Sequence, residues 1–285
     1  MFKESAYQRP VSFTETVCLT PEMAQGLLDF SKENEFKNRN THNARIELLA
    51  NEIKNGNWRD SNDAICVDDS GVLINGYHRC KAVVMADMPI WVTMKRGMSR
   101  ETFHSMDTGK KRSVSDVLQT RYVKHSTTVA RACRIIYLYE KVGIQCFATT
   151  ADPLVSNNDV LRKYDENPLI VNSCDYVYKK SRLVRLMPPG FLAFTHYILT
   201  AKHPQETVEN FFEGVNSGDN LENDNPIKLL RIKLLDDVIG IGGRQLNTPS
   251  KIGLFTKAWN YSLEGKTLRV LRFAENSGEQ IQDFN

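Results

Sequence analysis

Residues 69–82 constrain the fold of this chain more than any other stretch, because they combine a turn, a short strand and a helix start. The Asp-Ser-Gly at 69–71 is a turn signal, and the aliphatic residues at 72–74 suit a short strand. Gly76 allows the backbone to leave that strand in a conformation that other residues resist. At 77–84 the apolar residues recur at helical spacing, so the stretch predicts a strand and a helix joined at Gly76.

The predicted helix start is also a candidate phosphate site. The first N–H groups of a helix lack intrahelical partners and carry partial positive charge, which attracts anions. His78 and Arg79 lie in this first turn, and an arginine can hold a phosphate through two parallel hydrogen bonds. The alternative is an ordinary strand-to-helix corner with His78 and Arg79 at the surface.

Residues 76–82 read Gly-Tyr-His-Arg-Cys-Lys-Ala. This resembles the Gly-Glu-Arg-Arg-x-Arg-Ala box of the ParB/sulfiredoxin superfamily and the Asp-Gly-Gln-His-Arg box of its phage and DNA-modification relatives. In that superfamily the box lies at a strand-to-helix corner and holds nucleotide phosphates. The similarity covers about residues 36–120. Asn38 and Arg39 precede an amphipathic helix, and a basic turn at 107–112 stands where ParB has a Glu-Asn-x-x-Arg segment.

The resemblance implies a domain that binds a nucleoside triphosphate, CTP or ATP, together with Mg²⁺. It implies that Arg79 clamps a phosphate, that His78 donates a hydrogen bond to it, and that Gly76 permits close backbone approach. The cations that would close over the nucleotide are Arg39, Lys110, Lys111 and Arg112. Tyr77 replaces both ParB's glutamate and sulfiredoxin's reactive cysteine, which counts against ParB-type hydrolysis and against sulfinic acid reduction.

Acidic residues near the corner are the candidates for catalysis and for metal binding. Asp107 is the motif carboxylate that could act as a catalytic base if the chain is a superfamily kinase or nuclease. Asp68 and Asp69 precede the motif strand, and carboxylates are suitable ligands for the Mg²⁺ of a nucleotide. A plain turn is the alternative role for this acidic pair.

Composition favours a soluble globular protein of a reducing compartment. The chain has 285 residues, of which 41% are hydrophobic and 25% charged, enough for one large or two ordinary domains. Its six cysteines form no Cys-x-x-Cys pair, which indicates free thiols. The first residues lack an apolar signal core, and the apolar stretch at 82–94 is too short to span a bilayer. We therefore expect a cytoplasmic protein without a membrane segment.

The chain divides into a mixed part and a helical part. The predicted elements are helices at 20–34 and 44–56, strands at 64–67 and 90–95, helix starts at Ser99 and Ser113, helices at 127–141 and 175–186, and a closing strand at 268–273. From residue 126 most of the spacing is helical. We therefore predict an α+β, ParB/sulfiredoxin-like nucleotide-binding domain at 10–124 and an all-helical domain at 125–285.

Positive charge is unevenly distributed along the chain. The net charge of +3 permits nucleic-acid binding without arguing for it globally, whereas cations are concentrated at 95–124. A second basic stretch has tyrosines interleaved at 176 and 178, a pattern suited to contacting DNA phosphates and stacking on bases. The candidate DNA contacts there are Lys179, Lys180, Arg182 and Arg185.

Together these features predict a nucleotide-binding, DNA-associated protein of phage or mobile-element type. The candidate partners are DNA, a second copy of the chain in a homodimer, and a host protein. Two alternatives belong to other classes: an enzyme of the kinase or nuclease type, and an interaction module whose site is inactive and which acts on a host system.

Overall fold

The computed structural model describes residues 12–34, 43–60, 63–99, 113–148, 154–241, 245–274 and 278–285. The chain separates into two compact units, Met1–Lys111 and Arg112–Asn285. In the described residues, the first unit combines a sheet with helices, and the second has helices as its regular structure. The mixed α+β content that we predicted is therefore confirmed.

The first unit is built on one four-stranded sheet with the order β1-β4-β2-β3. Its strands are β1 (Phe13–Leu19), β2 (Ile65–Asp68), β3 (Leu73–Asn75) and β4 (Ile90–Met98). β4 is antiparallel to β1 and parallel to β2, and β2 is antiparallel to β3. The sheet is therefore mixed, with β4 and β2 in the centre and β3 at the edge that leads into the predicted corner.

Three helices form the core of this unit together with the sheet: α1 (Pro21–Glu33), α2 (Asn43–Lys54) and α3 (Tyr77–Ala86). α3 packs against both α1 and α2. Buried apolar residues from the helices and strands form one cluster, which includes Ile53, Ile65, Val83 and Val92. Ser31 of α1 connects the layers directly, because its hydroxyl accepts a hydrogen bond from the Leu73 N–H of β3 at 2.8 Å.

The second unit contains nine α-helices within its described residues. They are α4 (Val114–Thr120), α5 (Ser126–Val142), α6 (Asn157–Glu166), α7 (Ile170–Lys179), α8 (Leu183–Leu186), α9 (Pro189–Lys202), α10 (Gln205–Ser217), α11 (Pro226–Ile239) and α12 (Thr248–Leu263), and a 3₁₀ helix (Gly143–Phe147) follows α5. The aromatic centre of its core joins α9, α10 and α12, where Phe211 makes edge-to-face contacts with Phe255 and Trp259 at 5.2 Å. In the part of the chain that the structure describes, no helix is both long enough and apolar enough to cross a membrane.

Two predicted elements of the second unit are wrong. The helix predicted at 175–186 is interrupted between α7 and α8, where the Leu183 N–H donates to Asn216 Oδ1 of α10 at 3.2 Å. The strand predicted at 268–273 has no regular structure. Leu271 is buried there against the helical core, so this apolar stretch is used for packing on helices and not for strand pairing.

α4 belongs to the second unit, although the predicted boundary at 124 assigned it to the first. Val114 and Leu118 are buried in the helical core, and α4 packs against α5. The helix start predicted at Ser113 is a capping box with Asp116, in which each side chain accepts a hydrogen bond from the backbone N–H of the other. The division therefore lies before the capping box and not after α4.

We predict that a fragment of residues 112–285 is more stable than one of residues 125–285. The shorter fragment loses the burial of Val114 and Leu118, which contributes about 1.5–3 kcal/mol per side chain. Urea and thermal denaturation followed by circular dichroism will compare the two fragments. In the longer fragment, Leu118→Ala should reproduce much of the loss, whereas Gln119→Ala, at an exposed position of α4, should not. Equal unfolding midpoints for the two fragments would contradict the assignment of α4.

Candidate phosphate-binding site

β3 passes directly into α3 through Gly76, as the sequence predicts. Gly76 has φ 108° and ψ 7°, a left-handed conformation that residues with a Cβ rarely adopt. A Cβ at this position would also lie 2.9 Å from Cγ1 of Ile65 on β2. Glycine is therefore required here both by the backbone turn and by close packing on the neighbouring strand.

α3 begins without a side-chain cap, because Gly76 occupies the capping position. The first intrahelical hydrogen bond runs from the Cys80 N–H to the Gly76 carbonyl at 2.9 Å. The N–H groups of the first turn thus have no acceptor within the helix, and the positive end of the helix dipole lies at this corner. N–H groups without an intrahelical acceptor and a positive dipole end together favour the binding of an anion.

Arg79 turns back towards the backbone that leads into β2. Its Nη2 donates to the Ala64 carbonyl at 3.0 Å, and its Nη1 donates to the Asp63 carbonyl. Hydrogen bonds from a charged donor contribute about 1.5–3 kcal/mol each. The structure therefore shows Arg79 joining the first turn of α3 to the chain before β2, a role that we did not predict from sequence.

The chain before β2 is also attached to β4. Trp58 Nε1 donates to the Trp91 carbonyl at 3.1 Å, and the Thr93 hydroxyl donates to Asp60 Oδ2 at 2.7 Å. These contacts hold residues 57–60 beside β4, and Arg79 holds the chain a few residues later. The start of α3 is thus fixed to the sheet through side-chain contacts as well as through β3.

Two further side chains lie in the first turns of α3. The ring of His78 is half-buried and makes an edge-to-face contact with Tyr77, with ring centroids 6.3 Å apart. Lys81 Nζ lies 5.2 Å from the centroid of the Tyr77 ring, which places an ammonium group close to the helix start. Lys81 was not predicted from the sequence as a site residue. Its (i, i+4) spacing from Tyr77 is the signal that could have identified it.

The carboxylate of Asp68 closes the turn that precedes β3. Its Oδ1 accepts hydrogen bonds from the Ser70 N–H, the Ser70 hydroxyl and the Val72 N–H at 3.0, 2.8 and 2.7 Å. The side chain is buried, whereas Asp69 is exposed. Among the described residues, no group of three or more His, Cys, Asp or Glu side chains could hold a metal ion. The turn occupies Oδ1 of Asp68, and the Mg²⁺ role assigned to Asp68 and Asp69 stays a prediction.

Five residues assigned to the site from sequence lie outside the described residues. They are the nucleotide-closing cations and the candidate base, namely Arg39, Asp107, Lys110, Lys111 and Arg112. The helix start predicted at Ser99 leads into the same stretch, which is likewise not described beyond residue 99. The described part of the candidate site is therefore the corner at 76–81 and its support at 57–60 and 63–64.

The four candidate DNA contacts of the second unit do not lie on one helix face. Lys179 ends α7, Arg182 precedes α8, and Arg185 lies within α8. These three side chains are exposed. Lys180 differs, because it forms an ion pair with Glu213 and lies 5.1 Å from the Tyr176 ring centroid. Three of the four cations are therefore presented to solvent.

The two tyrosines of this stretch are used within the protein. Tyr176 stacks on His196 with ring centroids 4.2 Å apart, and burial raises the pKa of its hydroxyl. Tyr178 stacks on His125 at 4.2 Å, and its hydroxyl forms a hydrogen bond with that of Thr128 at 2.8 Å. Tyr176 is half-buried, whereas the Tyr178 side chain is 42% exposed, so base stacking by Tyr178 stays a prediction.

All six cysteines are free thiols, as predicted. Four of them are buried: Cys66, Cys80, Cys133 and Cys174. Burial raises the pKa of Cys80 to about 12 although the Arg79 charge opposes this, and burial likewise raises the pKa of Cys133 to about 12. Burial thus favours the protonated thiol of Cys80, the cysteine beside the candidate site.

No protein-family model, curated protein or solved structure matches this chain. The resemblance to the ParB/sulfiredoxin superfamily therefore stays a prediction made from the residues of the box and its surroundings. The geometry of the corner between β3 and α3 is therefore the basis for the function proposed below.

We predict that Gly76→Ala destabilises the first unit more than Gly71→Ala. Both glycines have a positive φ, of 108° and 94°, but a Cβ at residue 71 meets only Phe30 at an ordinary 3.5 Å. Backbone strain should therefore cost both variants about 1–3 kcal/mol, and the Ile65 contact should add about 1–3 kcal/mol to Gly76→Ala alone.

The measurement is urea unfolding monitored by tryptophan fluorescence. Trp58 and Trp91 belong to the first unit and Trp259 to the second, so a Trp259→Phe background makes the signal specific for the first unit. Equal losses of unfolding free energy in Gly76→Ala and Gly71→Ala would show that the packing on Ile65 imposes no constraint at the corner.

Proposed function

We propose that the first unit binds the phosphate groups of a nucleoside triphosphate, with CTP and ATP as the leading candidates, at the N-terminus of α3. The observation that supports this proposal is the start of α3 without a side-chain cap, which follows from Gly76. Such a helix start stabilises an anion through its backbone N–H groups and its dipole. His78 and Lys81 lie in the first turns of the same helix.

In this proposal the side chains of the corner have different roles. Backbone N–H groups and the imidazole of His78 contact a phosphate. The ammonium group of Lys81 adds its positive charge to that of the helix dipole. Arg79 is a positioning residue, because its bonds to the carbonyls of Asp63 and Ala64 hold the helix start in place. The cations at 39 and 110–112 retain their predicted role of closing over the nucleotide.

Mg²⁺ would reach this site on the nucleotide. The cation usually keeps several waters and binds through the phosphates of its substrate, with few protein carboxylates. Oδ1 of Asp68 is engaged in its own turn, and we derive no reaction step that passes through the metal. Hydrolysis belongs to the enzyme alternative, for which Asp107 remains the candidate base.

DNA association is a second proposed function, and the observation that favours it is the exposure of three cations on the second unit. Lys179, Arg182 and Arg185 are presented to solvent within seven residues of chain. Exposed Lys and Arg side chains gain affinity for DNA by neutralising phosphates and releasing counterions. Association of this kind, with nucleotide binding, accords with a phage or mobile-element protein. We likewise propose a second copy of the chain or a host protein as a partner.

We predict that calorimetry of the full chain with CTP, ATP and GTP, each with Mg²⁺, detects binding of at least one triphosphate. His78→Ala and Lys81→Ala should each weaken it by about tenfold or more, because each removes a charge-assisted contact. Lys81→Arg should retain most of the affinity. Lys54→Ala, at the exposed end of α2 in the same unit, is the matched control and should leave the affinity unchanged.

Arg79→Ala provides a different readout in the same experiment. It should lower the unfolding temperature as well as the affinity, because residues 63–64 lose their attachment, whereas Lys81→Ala should lower the affinity alone. The absence of heat with all three triphosphates would contradict the phosphate site. Wild-type affinity in both His78→Ala and Lys81→Ala would do the same. Either result would favour the inactive interaction module.

We predict salt-sensitive DNA binding that depends on the exposed cations of the second unit. Reversal of Lys179, Arg182 and Arg185 to Glu should weaken binding, and each lost phosphate contact should reduce the log–log salt slope by about 0.9. The control variant makes the same change in net charge at exposed positions elsewhere on the same unit. It carries Lys202→Glu, Lys233→Glu and Arg269→Glu. Fluorescence anisotropy across a salt series is the measurement. Equal effects of the two triple variants, or no binding at about 50 mM salt, would contradict a DNA contact at this location.

A further inference from the structure

A pocket of about 270 Å³ lies among α5, the 3₁₀ helix, α9 and α12 of the second unit. Its lining combines two cations with apolar side chains, among them Arg131, Arg134, Ile135, Phe147, Phe191 and Ile252. The arginines are exposed or half-buried, whereas Ile135, Phe191 and Ile252 are buried. The pocket thus has an apolar interior with positive charge towards solvent, which is the usual composition of a small-molecule site.

Arg131 is held at the pocket by packing on Gly190, the second residue of α9. A Cβ at residue 190 would lie 2.4 Å from Cγ of Arg131, so glycine is required there for the arginine stem to cross α9. Within the part of the chain that the structure describes, Arg131 has no ion pair with a carboxylate. Arg131 is exposed to solvent, and its stem is fixed by the helix beneath it.

Further positive potential converges on the same pocket. Arg134 lies one turn after Arg131 on α5, and its Nη1 makes a long contact of 3.4 Å with the Val155 carbonyl. Pro188 and Thr248 also line the pocket, and they stand at the starts of α9 and α12. The positive ends of two long helix dipoles thus add to the positive charge of Arg131.

The interior suits a flat or branched apolar group. Phe147 and Phe191 form one wall in an edge-to-face contact, with ring centroids 5.4 Å apart. Burial, together with the nearby Asp283 charge, raises the pKa of Cys146 to about 12, so this lining thiol is neutral. The Asp283 carboxylate accepts hydrogen bonds from the Tyr139 hydroxyl at 2.6 Å and the Phe284 N–H at 2.8 Å. Its charge is therefore engaged by donors of the protein.

We propose that this pocket binds a small organic anion, made of one aromatic or branched apolar group and one carboxylate or phosphate group. Arg131 binds the acidic group, Arg134 adds positive charge beside it, and the wall of Phe147 and Phe191 contacts the apolar group. The volume equals that of about nine waters, which accommodates a single ring with its acidic substituent. All lining residues belong to the second unit, so the proposal goes beyond the triphosphate site and does not depend on it.

Methyl NMR of the full chain, labelled at isoleucine and leucine, tests the proposal with benzoate and phenyl phosphate as probes. Shifts are expected at the methyl groups of Ile135, Leu138 and Ile252, which line the pocket, and not at Ile53 or Ile65 of the first unit. For ligands of this size we expect a Kd of about 5 mM or tighter. The more tightly bound probe identifies the acidic group as a carboxylate or a phosphate.

Two matched compounds separate the contributions of charge and of the ring. Benzamide has the shape of benzoate without its charge, and inorganic phosphate has the charge of phenyl phosphate without its ring. Both should bind at least tenfold more weakly than their counterparts. Benzamide binding as tightly as benzoate would overturn the role of the arginines, and inorganic phosphate binding as tightly as phenyl phosphate would overturn the role of the apolar interior.

Variants locate the acidic group. Arg131→Ala should weaken binding of the preferred probe by about ten- to a hundredfold, and Arg131→Lys should restore part of it, because lysine keeps the charge but not the paired donors. Arg269→Ala, at an exposed position that does not line the pocket, should leave binding unchanged. The absence of methyl shifts with either probe, or wild-type affinity in Arg131→Ala, would overturn the proposal.

Discussion

Ile65 leaves no space for a side chain at residue 76, and the corner of the first unit depends on that contact. The nearest atom of Ile65 lies 2.9 Å from the position of a Cβ at 76, so β3 can lie against β2 only where the chain has a glycine. Glycine in turn permits the left-handed turn at which α3 begins, and it deprives α3 of a side-chain cap. The feature that would attract an anion is thus a by-product of close packing between a strand and a helix start.

The local features of this corner could be predicted from the sequence, whereas the contacts of its side chains could not. The turn, the strand, Gly76 and the helix follow one another locally, so turn signals and periodicity were sufficient to locate them. The direction of Arg79 was not predictable, because its partners are backbone carbonyls at 63–64, which no side-chain pattern reveals. Asp68 was ambiguous for a similar reason, since a buried turn and a metal ligand both require a carboxylate after a strand.

In the second unit too, features that depend on residues distant in sequence could not be predicted. The starts of α4 and α5 were located correctly, that of α4 through its capping residue Ser113. The interruption after α7 depends on Asn216, a residue 33 positions beyond Leu183 whose side chain accepts the Leu183 N–H. The boundary between units was placed too late because α4 is short and amphipathic in either assignment. Only the burial of Leu118 among the helical core residues shows which unit it joins.

Some of the cationic side chains that stand out in the sequence are not presented to a ligand by the folded protein. Lys180 and Arg79 are prominent in the sequence, yet their cationic groups contact Glu213 and backbone carbonyls. Arg131, by contrast, belongs to an ordinary amphipathic helix and becomes notable only because Gly190 lets its stem lie across another helix. Neighbours distant in sequence decide which cations a ligand can reach.

The pairing of β1 with β4 sets the order in which the first unit can be completed. Leu19 lies opposite Ile90, although 71 residues separate them in the chain. At about 5–20 residues per second of synthesis, β1 is made roughly 4–14 s before its partner strand exists. An unpaired strand is prone to pair with other chains, and charged side chains reduce that tendency. Glu15 gives β1 such a charge during the interval, and it forms an ion pair with Arg96 once β4 has been made.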